Sequence, residues 1–249
     1  MNARAQRPKR KPDTLPPGKR VSAGSDIALA RLLQLASPAL PVGAYSYSQG
    51  LEAAVEAGLV HDAASARTWI GDVLDYAVAR LEAPVWWRLH AAWSAGDAQA
   101  AAQWNDFFLC TRESAELRAE AVQMGYSLRQ LLLEIGDFEP QALAQLREPA
   151  ELAFPAAFSF AAAQWEIPAR SALIAYLWAW LENQVMAALK SVPLGQTDGQ
   201  RLLHALAARL PGVADAACAL ADAELCNFTP AYAILSSRHE TQYSRLFRS

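Results

Sequence analysis

Four histidines (His61, His90, His204 and His239) and three cysteines (Cys110, Cys218 and Cys226) are the residues of this chain best suited to hold a metal or act as nucleophiles. No histidine lies three or four positions from another histidine or cysteine, so no helix face offers a ligand pair. Cys218 and Cys226 fall about 80° out of register on an α-helix. The cysteines are too few and too scattered for a disulfide framework, and free thiols in a reducing compartment are expected. The single Gly-Lys pair, Gly18-Lys19, is followed by Arg20, so there is no P-loop to cradle a phosphate. No G-x-G-x-x-G follows a strand, and no G-x-S-x-G elbow occurs. None of these routes to catalysis is written in the sequence. An enzyme whose carboxylates and histidines converge only in three dimensions remains an open alternative.

The elements that must position these residues are helical. Hydrophobic residues make up 53% of the 249 and charged residues 19%, an apolar balance that points to a large core and a buried partner interface. Ser25 or Asp26 is expected to cap a first helix, which Pro38 and Pro41 stop because proline lacks an N–H and clashes with the preceding turn. A helix over Ser48–Ala57 follows, with Ser48 as its cap and Gly58 after its end. Asp62 caps the next, and Pro84 starts or kinks another. Residues 97–135 read as one long bent helix or two. An apolar helix near Ala153–Trp165 and a strong one after Pro168 follow. Asp198 is expected to cap the helix after 191–200. No period-2 alternation or Asn-Gly turn suggests a strand. The fold expected is all-α: a single-domain bundle of nine or ten helices over residues 25–237. The clustered tryptophans, Trp86, Trp87, Trp93, Trp178 and Trp180, are expected in the core, with interface anchoring as the alternative.

Charge is unevenly spread. Residues 1–20 carry seven basic side chains against Asp13, a net of +6, leaving −9 on the remainder. Residues 1–24 read as a disordered basic arm. A nucleic-acid-binding regulator using that arm is the alternative function, opposed by the acidic body. No apolar run reaches the length of a membrane span, and residues 1–20 hold no secretory h-region, so a cytoplasmic protein is expected.

Three stretches break the plain helical pattern. "SPALPVGAYSYSQGLE" (37–52) combines a Pro-Val-Gly turn with hydroxyls at a helix start. "SVPLGQTDGQRLL" (191–203) repeats the device. "RHETQYSRLFRS" (238–249) places Tyr243, Leu246 and Phe247 at i, i+3 and i+4, one apolar stripe if the segment is helical, flanked by Arg238, Arg245 and Arg248. Such a chain end is expected to order on a partner.

Together these stretches resemble the signatures of the urease accessory protein F family (UreF): its Ser-x-x-x-Pro-x-Gly start, its Pro-Leu-Gly-Gln loop and its C-terminal tail. The resemblance covers about residues 30–249. "LAFPAAFSFAAAQWEIP" departs from it, being less polar than the family's version. The resemblance implies an all-α, dimeric, non-enzymatic protein of urease maturation. Such a protein binds a D/H-type accessory protein, recruits a G-type GTPase that supplies nickel, and serves apo-urease. It binds no cofactor directly, because nickel and GTP are handled by partners. On this resemblance the tail, with Arg238, Glu240, Tyr243, Arg245, Leu246, Phe247 and Arg248, docks the D/H-type partner. Lys190, Pro193, Gly195 and Gln196 lie by the dimer or GTPase surface. Pro41, Gly43, Tyr45, Ser48 and Glu52 shape a second partner-facing edge. Deleting 238–249 is expected to abolish partner binding while leaving helicity intact.

Overall fold

The computed structural model describes residues 23–249, which are helical with no strand among them. The basic arm lies outside the described residues except for its last two, which already belong to α1 (Ala23–Leu35). After the proline-rich loop and a 3-10 turn at Ala44–Ser46 comes α2 (Leu51–Glu56). A continuous rod then runs through α3 (Ala63–Asp72), a π-helical segment (Val73–Glu82) and α4 (Ala83–Ser94). Pro84 sits in the first turn of α4 without ending the rod, because its missing N–H falls where the helix changes register.

The 97–135 region is two helices, α5 (Ala98–Cys110) and α6 (Ala115–Ile135). Each start has a side-chain cap: Asp97 accepts from the Ala100 N–H and Ser114 from the Leu117 N–H. Asp62 caps α3 as expected, in a reciprocal box with Ser65 that also holds its carboxyl below the usual range. Next come α7 (Pro140–Arg147), α8 (Phe154–Gln164), α9 (Ala169–Ser191), α10 (Gln196–Ala207), α11 (Leu210–Ala219) and α12 (Pro230–His239). Three expected caps are displaced: Ser25 and Asp26 lie inside the first turns of α1, which starts at Ala23. Gly50 stands at the start of α2 in place of Ser48, and Gly195 at the start of α10, leaving Asp198 in the first turn beside Arg201.

The apolar α8 is buried on all sides, as a helix without a polar face must be. It packs against α4, α6 and α9. The departure from the family pattern is therefore the centre of the core, where Phe158 lies edge-on to Tyr176 at 5.2 Å and Phe160 to Trp93 at 5.3 Å. Trp86, Trp93 and Trp180 are buried, and Trp87 and Trp178 pack partly buried against the core. The chain leading into α8 crosses α6 at Gly125, where a Cβ would stand 1.9 Å from the Leu152 carbonyl oxygen. Only glycine permits that approach. The long α9 forms a spine against α1, α2, α10 and α11. Its middle faces the proline-rich loop, which sets up the site.

Candidate functional site

The first and last irregular stretches meet. The loop before α2 turns through Gly43 (φ 76°) and Gly50 (φ 77°), a left-handed conformation that suits glycine. At Gly50 a Cβ would lie 3.5 Å from the Ser236 backbone nitrogen, so α12 packs directly on this turn. Ser236 is tied in turn to Ser114, with hydroxyl oxygens 2.7 Å apart. These contacts bring the end of α12 and the residues after it onto α2 and α6.

There a polar clasp closes. The Glu52 carboxylate accepts from the Leu246 N–H at 2.6 Å and the Phe247 N–H at 3.0 Å. The buried His239 ring lies between two carboxylates, Nε2 3.1 Å from Glu52 and Nδ1 2.7 Å from Glu116. A neutral imidazole has one N–H, so only the imidazolium donates to both. Arg245 donates to the other oxygen of Glu116 at 2.6 Å. The Ser48 hydroxyl and N–H donate to the Ser249 main-chain oxygen at 2.6 and 2.7 Å, and the Arg248 N–H donates to the Ser46 carbonyl at 2.7 Å.

Deeper still, Glu120 accepts from the Ser249 hydroxyl at 2.8 Å and the Gln49 amide at 2.7 Å. Burial pushes its carboxyl up to about 7, opposed by those two hydrogen bonds. Gln49, at φ 52° an unusual conformation for a side-chain-bearing residue, accepts from the Trp180 indole at 2.7 Å, which ties the clasp to α9. Charged groups held this way are hydrogen-bonded on nearly every side, which is what makes their burial tolerable.

This geometry corrects several expectations. Ser48 and Glu52 do not form a partner-facing edge: both are buried and grip the chain's own C-terminal segment. Pro41 and Tyr45 of the same loop are exposed, with Gly43 half-buried between them. The tail is not helical beyond His239, so the stripe of Tyr243, Leu246 and Phe247 does not form. Phe247 turns inward, 5.3 Å from the Lys190 ammonium over its ring, while Tyr243 is fully exposed and Leu246 72% exposed. Glu240 accepts from the Ala115 N–H at the start of α6, and Arg238 and Arg248 are exposed. The boundary drawn at 237/238 falls inside α12, and the last residues belong to the same body. Lys190 reaches back to the Tyr45 carbonyl at 3.4 Å, so the first and third stretches touch it together, whereas Pro193, Gly195 and Gln196 are exposed beyond it.

The clasp's other members were missed. His239 has no ligand partner at helical spacing in the sequence, so nothing local marks it. Glu116 and Glu120 carry a usable signal, since four positions apart on a helix they share one face, Glu120 buried and Glu116 half-buried. Gln184 and Trp180 repeat that spacing on α9, both against Gln49. Among the described residues, no group of three histidine, cysteine or acidic side chains is arranged to hold a metal ion. None of their helices is long and apolar enough to cross a membrane.

Fold and site together define an all-α protein that anchors its C-terminal segment on its own body and holds two large apolar side chains outward from it. The sequence profile of UreF matches residues 60–207. The urease accessory protein UreF of Azoarcus sp. (strain BH72) is 61% identical over 229 residues, covering 91% of this chain and 98% of that protein. That of Dechloromonas aromatica (strain RCB) is 57% identical over 224 residues, with 90% and 98% covered. The bifunctional urease accessory protein UreEF of Bordetella bronchiseptica is 54% identical over 227 residues, covering 89% of this chain and 52% of that longer protein. The chain belongs to the UreF family of urease accessory proteins.

Proposed function

We propose that this protein is a non-enzymatic scaffold of urease maturation. It binds a D/H-type accessory protein, recruits and regulates the nickel-carrying G-type GTPase, and so assists nickel insertion into apo-urease. It acts in the cytoplasm as a homodimer and leaves nickel and GTP to its partners. The observation that carries this reading is the clasp: Glu52 and Glu116 hold the backbone and Arg245 of a segment from which Tyr243 and Leu246 project into solvent. Large side chains presented on an ordered backbone lose little entropy on binding, the property of an interface anchor. The Bordetella relative, whose name joins two urease accessory functions in one chain, supports a role beside other members of that set.

Light scattering after size exclusion tests the reading on the full chain, alone and with the D/H-type protein. The wild type is expected to form a defined larger complex. The Tyr243→Ala/Leu246→Ala variant, altered only at exposed positions, is expected to keep its helicity and melting temperature and lose that complex. A double variant that binds as the wild type does overturns the assignment of the docking surface. Deleting 238–249 is no clean substitute, because it also removes His239 and Phe247 from the body.

A further inference from the structure

Glu52 and Glu116 each hold the His239 ring and the C-terminal segment at once. Glu52 Oε2 lies 3.1 Å from the ring's Nε2 and accepts from the Phe247 N–H at 3.0 Å, while its Oε1 accepts from the Leu246 N–H at 2.6 Å. Glu116 Oε2 lies 2.7 Å from Nδ1, and its Oε1 accepts from Arg245 at 2.6 Å. The ring is 0% exposed and the two carboxylates 9% and 14%, so these charges are balanced by one another more than by water.

Two negative groups, Glu52 from α2 and Glu116 from α6, face two positive ones, His239 from α12 and Arg245 from the segment after it. The flanking charges turn elsewhere: Glu240 accepts from the Ala115 N–H, Arg238 is exposed, Lys190 of α9 stands over Phe247, and Glu120 accepts from Ser249 and Gln49. Loss of a proton from the ring therefore leaves one buried carboxylate uncompensated. Either neutral tautomer also sets a lone pair against a carboxylate oxygen. With the Nδ1–H kept, it faces the Glu52 oxygen that holds Phe247. With the Nε2–H kept, it faces Glu116, which holds Arg245. Both routes loosen the same segment.

We propose that His239 is a proton-operated latch. The imidazolium holds the segment from Glu240 to Ser249 on the body, and loss of its proton as pH rises releases that segment. Histidine is the side chain whose charge ordinarily changes between about pH 5 and 8, which suits it to such a switch. The latch rests on the clasp geometry alone. Its consequence, that Tyr243 and Leu246 lose their fixed presentation at high pH, rests on the scaffold reading.

Amide exchange at Leu246 and Phe247, followed by NMR on the full chain without any partner from about pH 5 to about pH 9, tests the latch separately from that reading. Protection is taken relative to an unstructured peptide at the same pH, and the His239 ring is titrated in the same samples. Protection at both amides is expected to fall at least tenfold as pH rises, with the midpoint of the ring's own titration, while α9 stays protected. Glu120 is the competing titrating group, so the fall is expected to persist in Glu120→Gln. His239→Gln places one N–H and one lone pair in the site, as the neutral ring does, and is expected to show low tail protection at every pH with α9 still protected. Protection that does not fall, a midpoint apart from that of the ring, a fall that vanishes in Glu120→Gln, or wild-type protection in His239→Gln overturns the proposal.

Discussion

Replacing Glu120 with glutamine perturbs the clasp at its most deeply buried carboxyl. In the folded chain desolvation raises this group to about 7 from an ordinary value of 4.5, with Gln49 and Ser249 pulling the other way. Between those values the folded state holds a proton that the unfolded chain has released. The contribution of Glu120 to stability is therefore fully present below about pH 4.5 and is lost as pH rises through about 7. At 1.36 kcal/mol per unit, the swing amounts to about 3 kcal/mol between pH 4.5 and pH 8. Glutamine preserves the shape and the contacts: its carbonyl accepts from Gln49 and its amide donates to the Ser249 hydroxyl. It carries no titrating proton. Denaturant unfolding of both proteins across pH 4.5–8 isolates the effect, because every other titrating group is common to the two. The wild type is expected to lose about 3 kcal/mol relative to Glu120→Gln as pH rises. Parallel stability curves would refute the reasoning.

Gly125→Ala forces a Cβ to 1.9 Å from the Leu152 carbonyl oxygen, so α6 and the entry to α8 must separate; a loss of about 3 kcal/mol in denaturant unfolding is expected. A loss under about 1 kcal/mol would contradict that packing. Phe247→Ala removes a buried ring from beside Lys190 and is expected to cost about 3 kcal/mol, measured the same way; a near-neutral result would mean that the tail is not part of the body. Tyr243→Ala is expected to leave stability within about 0.5 kcal/mol of the wild type, because the side chain touches only solvent.

The helical bundle was legible because its signals are local. Asp62 followed by Ser65, proline at the first turn of α4 and α8, and the unbroken apolar run of α8 each mark an element without reference to distant residues. The unusual stretches were also legible as unusual, since nothing in helix formation requires Gly43, Gly50 or an aromatic, arginine-rich tail. Which way their side chains point was not. The spacing of Tyr243, Leu246 and Phe247 implies a stripe only in a helix, and the chain leaves the helix at His239 because Glu52 captures the Leu246 and Phe247 N–H groups. That capture spans 194 residues of sequence, beyond the reach of any local pattern. Ser48 shows the same limit: a serine ahead of a helix reads as a cap, and its hydroxyl does accept from the Glu52 N–H at 3.3 Å, but it also donates to Ser249, a partner no local pattern names, while Gly50 takes the N-cap position. The pairing of Glu116 with Glu120 on α6 was visible as spacing, but Glu116 takes its role from His239 and Glu120 from Ser249 and Gln49, which only tertiary structure brings to them.

Fixed presentation of Tyr243 and Leu246 requires the C-terminal segment to be clasped to the body, and hydrogen–deuterium exchange at Leu246 and Phe247 measures that most directly. Both amides donate to Glu52, so strong protection is expected in the wild-type chain, together with its loss in Glu52→Ala, which removes both acceptors, while α9 stays protected. Exchange at the rate of an unstructured peptide in the wild-type protein would contradict the clasp and, with it, the fixed presentation of Tyr243 and Leu246.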